Sequence, residues 1–215
     1  DPGRDQPRRD LVERLGTALD GGVLDVHIVP GVDVWVRVGI DHWHRAFEVC
    51  RHHLGLTYFD FLSAIDWLPS PFGRSEDTGT DEDAGADDRA AGPGGPGELE
   101  HGVTGGSTRF QLLARLVSPT SHLGLTLKAD VDDVDLRAPT VSDLYPGADW
   151  HERETWEMYG IDFVGHPNLV HLYLPGAFEG HPLRKDFPLL AREVKPWPGL
   201  VDVEAMPGEA EAASS

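Results

Sequence analysis

Val32-Asp33-Val34-Trp35-Val36-Arg37-Val38 alternates apolar and polar side chains over seven residues, the period of a half-buried β-strand. Pro30-Gly31 turns the chain into it from Val23–Val29, which is β-rich but alternates less regularly. Upstream, Leu11, Leu15, Ala18 and Leu19 share one helical face, with Asp10 as the expected N-cap and Gly21-Gly22 as the stop. Downstream, Asp41 is placed to cap a second helix in which Trp43, Phe47, Cys50 and Leu54 recur at near-helical spacing, and Gly55 closes it. Residues 57–65 are aromatic and β-branched enough for a third strand. Residues 109–117 and 123–131 flank Ser118-Pro119-Thr120-Ser121, which predicts a hairpin. This order predicts a two-layer α+β domain with a mixed, largely antiparallel sheet and helices on one face. A doubly wound sheet needs more crossover helices than the chain supplies.

The chain has 215 residues, a length for one domain with appendages. Its 18 Lys plus Arg against 37 Asp plus Glu give a formal charge of −19, which argues against nucleic acid and anionic membrane surfaces as partners. No stretch approaches the roughly 20 apolar residues of a spanning helix. The first residues lack the basic-then-apolar layout of a secretory signal, so a cytoplasmic protein is expected. The single cysteine, Cys50, can form no intrachain disulfide and cannot by itself hold an iron–sulfur cluster or a thiolate zinc site. Much of the acidity is in appendages. Residues 70–107 carry nine acids, two bases, ten Gly and three Pro, and read as a disordered acidic insertion. Residues 1–9 read as a flexible N-terminus and residues 201–215 as a disordered acidic tail. The folded domain is then expected over residues 10–69 and 108–160.

The C-terminal third breaks the pattern. Pro146-Gly147 precedes a helix expected from Ala148 to Tyr159, and Gly160 with Ile161 behind it has the form of a Schellman stop. Residues 161–200 then hold six Pro and four Gly among scattered aromatics, which predicts an extended, partner-binding arm. Eleven histidines offer no His-Glu-x-x-His spacing, and His42 and His44 diverge on a helix. The Gly92–Gly97 run lacks the Lys-Ser/Thr and the following helix of a phosphate cradle. In Trp150-His151-Glu152-Arg153-Glu154-Thr155-Trp156-Glu157-Met158-Tyr159, Glu152 shares a face with Trp156 and Tyr159 and could anchor the helix inward. Arg153 and Glu157 form an i, i+4 pair, so on sequence physics the run reads as an exposed, salt-bridged helix. Glu152 and Glu154, two apart, are expected not to face one catalytic site. In Glu179-Gly180-His181-Pro182-Leu183-Arg184-Lys185-Asp186-Phe187-Pro188, the apolar residues are expected to anchor on a partner whose groups complement the three consecutive charges.

These two runs, joined by Gly165-His166-Pro167, closely resemble the signature of the C subunit of bacterial proton-pumping NADH:quinone oxidoreductase, respiratory complex I. The strict match covers about 40 residues, 150–189, and the earlier elements are consistent with the family back to Asp10. Glu157 stands where that family usually has Asp, Pro175-Gly176-Ala177 replaces a more polar triplet, and the acidic stretch is an insertion. The resemblance implies a non-catalytic peripheral-arm subunit with no cofactor of its own. Flavin, iron–sulfur clusters and quinone would belong to partner subunits. It further implies an arm packed on the D subunit at the quinone site, with the B and I subunits nearby, and a peripheral place on the cytoplasmic side of the cell membrane. The signature and interface candidates are Glu152, Arg153, Glu154, Trp156, Tyr159, Gly160, His166, Glu179, His181, Pro182, Arg184, Lys185 and Asp186. Two alternatives stand beside it: the equivalent subunit of a related membrane-bound hydrogenase or dehydrogenase, and a free-standing α+β enzyme using Glu152 and Glu154.

Overall fold

The structure, a computed structural model, describes residues 5–69 and 99–188. Residues 1–4, residues 70–98 of the expected insertion, the arm beyond residue 188 and the acidic tail lie outside the described residues. Helix α1 (Gln6–Leu19) leads into strands β1 (Val23–Val29) and β2 (Asp33–Val38), then α2 (Trp43–His52) and β3 (Tyr58–Asp66). Strands β4 (Phe110–Val117) and β5 (Gly124–Val131) form the expected hairpin, paired antiparallel from Phe110↔Val131 to Val117↔Gly124. The five strands lie in the order β1-β2-β5-β4-β3, and only the β2–β5 pair is parallel. The sheet is therefore mixed and largely antiparallel, and the domain is α+β.

Alternation builds the core. Val34, Val36 and Val38 of β2, Leu125, Leu127 and Ala129 of β5, and Leu112, Ala114 and Leu116 of β4 are buried in one cluster with Leu11, Leu15 and Leu19 of α1 and Phe47 and Cys50 of α2. Each fully buried Leu or Val contributes roughly 1.5–3 kcal/mol, which is why the period-two residues fix the sheet's inner face. Burial also pushes the Cys50 thiol far above its ordinary pKa, leaving it a small hydrophobe.

Four expectations are corrected. The helix begins at Gln6, inside the stretch expected to be flexible, because Pro7 fits a first helical turn. Its N-cap is Asp5 rather than Asp10. The buried Asp5 carboxylate accepts from Gly31 N–H (2.9 Å) and Arg8, and so ties the helix start to the β1–β2 turn. Asp41 makes no cap; it lies in a short 3-10 turn, Ile40–His42, that feeds α2. Residues 99–107, assigned to the disordered insertion, fold back over the outer face of the sheet. There the carbonyls of Val103 and Gly105 accept from Lys128 Nζ (2.7 and 3.1 Å), and that of Thr104 accepts from Arg37 Nε (2.7 Å). Lys128 is 1% exposed, so these carbonyls replace the water it has lost.

Beyond β5 lie β6 (Arg137–Pro139), α3 (Ala148–Tyr159) and β7 (Asp162–Val164). The short β6 and β7 pair parallel in a second, two-stranded sheet, so the first residues of the expected arm belong to the domain. Phe163 of β7 and Ala138 of β6 enter the main core, and α3 lies along the edge strand β3.

Candidate interaction site

Helix α3 is not an exposed, salt-bridged helix: Glu152, Thr155 and Glu157 are all buried. Its turns at 152 and 157 each point a carboxylate into protein, and each carboxylate gathers backbone donors from a segment without regular structure. Glu152 accepts 2.7 Å from Val141 N–H and also from the Thr140 hydroxyl, which fastens the β6–α3 connection. Burial pushes its pKa up to about 7, against the pull of those two hydrogen bonds. The inaccessible His166 ring stands 3.8 Å from Glu152 and 3.0 Å from Asp149. Asn168 N–H donates to His166 Nδ1 (3.1 Å), which leaves Nε2 as the protonated nitrogen of the neutral ring.

Glu157 is the second hub. Its carboxylate accepts from the successive backbone N–H groups of Leu172, Tyr173 and Leu174 (3.1, 3.0 and 2.6 Å) and lies 3.0 Å from His171 Nδ1. Burial works to raise its pKa, but these donors outweigh it and hold the carboxyl below its ordinary value. The expected Arg153–Glu157 pair is absent because both partners serve the arm. Arg153 donates instead to the carbonyls of Val170 and His171 (2.9 and 3.0 Å). Trp156 packs on the His171 ring with centroids 5.1 Å apart.

Beyond Gly160, which ends α3 in the left-handed region at φ 76°, the arm returns to the same helix end. His181 Nδ1 donates to the Glu157 carbonyl (2.9 Å), and Leu183 N–H, just past the half-buried Pro182, donates to that of Met158 (3.2 Å). Arg184 Nε donates to the Tyr159 carbonyl (2.6 Å). Tyr159 itself is half-buried, and burial raises its phenol's pKa. Lys185 N–H donates to Asp66 (2.8 Å), whose side chain is fully buried at the end of β3. Arg109, just before β4, bridges Asp66 (2.6 Å) and Asp186 (2.8 Å).

The run expected to meet a partner is thus fastened to its own domain, with Lys185 and Asp186 left exposed. Asp186 and the backbone of Lys185 close on the chain's own β3–β4 end, and an appendage this short gains order by giving its polar groups to its own domain. Glu179 is exposed, and Glu154 is half-buried and makes no hydrogen bond to Glu152. Of the thirteen candidates, all except Glu154 and Glu179 are brought into this one region. Sequence reasoning missed Asp66, Arg109 and Thr140, which lie outside the signature. It placed Glu157 on the surface, although the quoted run contained it. Among the described residues, no group of three or more His, Cys, Asp or Glu side chains is placed to hold a metal ion. No helix there is long and apolar enough to cross a membrane.

Fold and site together define an α+β domain with a clasped C-terminal arm, whose buried acids hold irregular backbone. Residues 36–193 match the family described as respiratory-chain NADH dehydrogenase, 30 Kd subunit, and the chain belongs to that family. The C/D subunits of NADH-quinone oxidoreductase from Salmonella heidelberg (strain SL476) and from Salmonella typhi are each 47% identical to it over 88 residues. The matched residues are 41% of this chain and 15% of the relatives' own length. The fold is similar to that of a trypsin-resistant fragment of Nqo5, at TM-score 0.52 and 21% identity over 76% of this chain and all of that one. It is also similar to a chain of an archaeal respiratory membrane complex, the membrane-bound sulfane sulfur reductase. That match has TM-score 0.61 and 17% identity over 86% of this chain and 88% of that one.

Proposed function

We propose that this chain is a non-catalytic peripheral-arm subunit of an NADH:quinone oxidoreductase, packed through its arm against the D subunit at the quinone site. In that role it supports electron transfer from NADH to quinone coupled to proton translocation, on the cytoplasmic side of the membrane. Flavin, clusters and quinone then reside in partner subunits, with the B and I subunits adjacent. The observation that carries the reading is the arm's division of labour. Its polar groups are given to Glu157, Met158, Tyr159, Asp66 and Arg109, while Val170 (46%), Tyr173 (62%), Phe178 (37%) and Leu183 (49%) face outward. An irregular segment held this firmly, with its apolar side chains left in water, suits a preorganised protein interface.

The fold likeness to the sulfane sulfur reductase chain supports a second reading, the equivalent subunit of a related membrane-bound dehydrogenase or hydrogenase. A free-standing carboxylate enzyme fits less well, since Glu152 is sealed in protein and Glu154 does not join it. An affinity tag on this chain tests the proposal. The wild type should bring down further subunits with flavin and iron–sulfur absorbance and NADH-dependent quinone reduction. Tyr173→Glu with Phe178→Glu should yield a folded chain without them. Isolation of the wild type alone would contradict the proposal. Quinone reduction from another donor only would favour the second reading.

A further inference from the structure

Arg184 is a cation that the described part of the arm, residues 161–188, fixes in place without giving it an anion. Its Nε donates to the Tyr159 carbonyl, and its guanidinium carbon stands 5.2 Å from the centre of the Phe110 ring. Among the described residues its two Nη nitrogens meet no acceptor. The nearby acids, Asp66 and Asp186, are both bonded to Arg109, whose own guanidinium lies 4.6 Å from the same ring. Burial, and then the charge of Arg109, hold the Arg184 pKa below its ordinary value, as expected of a guanidinium short of a counter-ion. Gly160 keeps the space clear. A Cβ there would stand 2.5 Å from both Arg184 Nη2 and His181 Nε2. Because His181 Nδ1 donates to the Glu157 carbonyl, Nε2 of the neutral ring carries the lone pair. The guanidinium is therefore the donor, and His181 is the wall beside it.

Resting on the reading that the arm meets a neighbouring subunit, we propose that the free Nη edge of Arg184, framed by His181 over Gly160, is a receptor for one carboxylate of that subunit. A guanidinium edge matches the two oxygens of a carboxylate in a bidentate fork. A phosphate group fits the place poorly. The nearest helix terminus is the C-terminal end of α3, whose partial negative charge disfavours a polyanion.

The test uses the assembled oxidoreductase isolated through a tag on this chain. Arg184→Lys with Lys185→Arg puts a single reactive amine at the site, and a zero-length carbodiimide joins it to any carboxylate in contact. Mass mapping should find an amide between position 184 and an Asp, Glu or chain terminus of another subunit. In parallel, Arg184→Ala should lower recovery of the partner subunits at least ten-fold. An amide only to this chain's own acids, including those beyond residue 188, overturns the proposal, as does the absence of any amide at position 184. Tyr173→Glu separates this failure from failure of the arm reading. Partner recovery lost with Tyr173→Glu but kept with Arg184→Ala defeats the receptor alone. Recovery kept with both defeats the arm reading too.

Discussion

Glu152 and Glu157 stand five residues apart on α3, and their environments shift them in opposite directions. Glu152 is desolvated with two donors and no cation, so its folded pKa rises to about 7. A carboxyl raised on folding contributes stability that is full below its ordinary value and is lost as pH rises through the folded value. Between pH 5 and pH 8 the wild type should therefore lose roughly 2–3 kcal/mol relative to Glu152→Gln, which carries no charge to desolvate. Urea denaturation of both proteins at the two pH values measures this; parallel pH profiles would contradict it. Glu157 has the other sign. Its depressed pKa means its contribution is present above the ordinary carboxylate range and is lost as pH falls through the folded value. Glu157→Gln turns an amide donor towards three backbone N–H groups and should cost about 2–4 kcal/mol of arm docking. The sign of this change is read from faster proteolysis of residues 165–188, and unchanged cleavage would count against the hub.

Between elements, the clasp at Arg109 joins the end of β3, the start of β4 and the arm. Its two ion pairs differ in burial: the Asp66 side chain is inaccessible, whereas that of Asp186 is 51% exposed. Asp186→Ala should change stability by about 0–1 kcal/mol, because water already screens that pair. Arg109→Ala strands a buried carboxylate and should cost about 3–5 kcal/mol. Equal melting temperatures for the two variants would show that Asp66 is not the clasp's foundation. Strand β2 was legible because a half-buried strand writes its period into every second residue, as in Val34, Val36 and Val38, whereas β3 was read from aromatic and β-branched content and β4 and β5 from the turn between them. That period says nothing about neighbours, so the parallel β2–β5 pairing was not readable. The three-residue β6 and β7 are too short to show a period at all. Residues 99–107 looked structureless because their folding depends on the carbonyl needs of Lys128 and Arg37, which no local pattern records. Glu157 misled for a similar reason: sequence shows the charge but not the three N–H groups that come to meet it.

Across the whole molecule, the run that looked like an exposed, salt-bridged helix and the run expected to meet a partner form one continuous fastening from the β6–α3 connection to Asp186. The family signature located this region, yet the use made of Arg153, Lys185 and Asp186 followed only from the packing. The central claim is that the arm is already docked on its own domain in the free chain, so that assembly covers its outward side without having to fold it. Hydrogen exchange measured by mass spectrometry, on the chain alone and in the assembled oxidoreductase, tests this directly. The amides of residues 172–174, bonded to Glu157, should exchange slowly in both states. The exposed residues 176–180 should exchange fast in the free chain and slowly after assembly. Free-peptide exchange at residues 172–174 in the isolated chain would contradict the docked arm, and unchanged exchange at residues 176–180 on assembly would contradict its role as the interface.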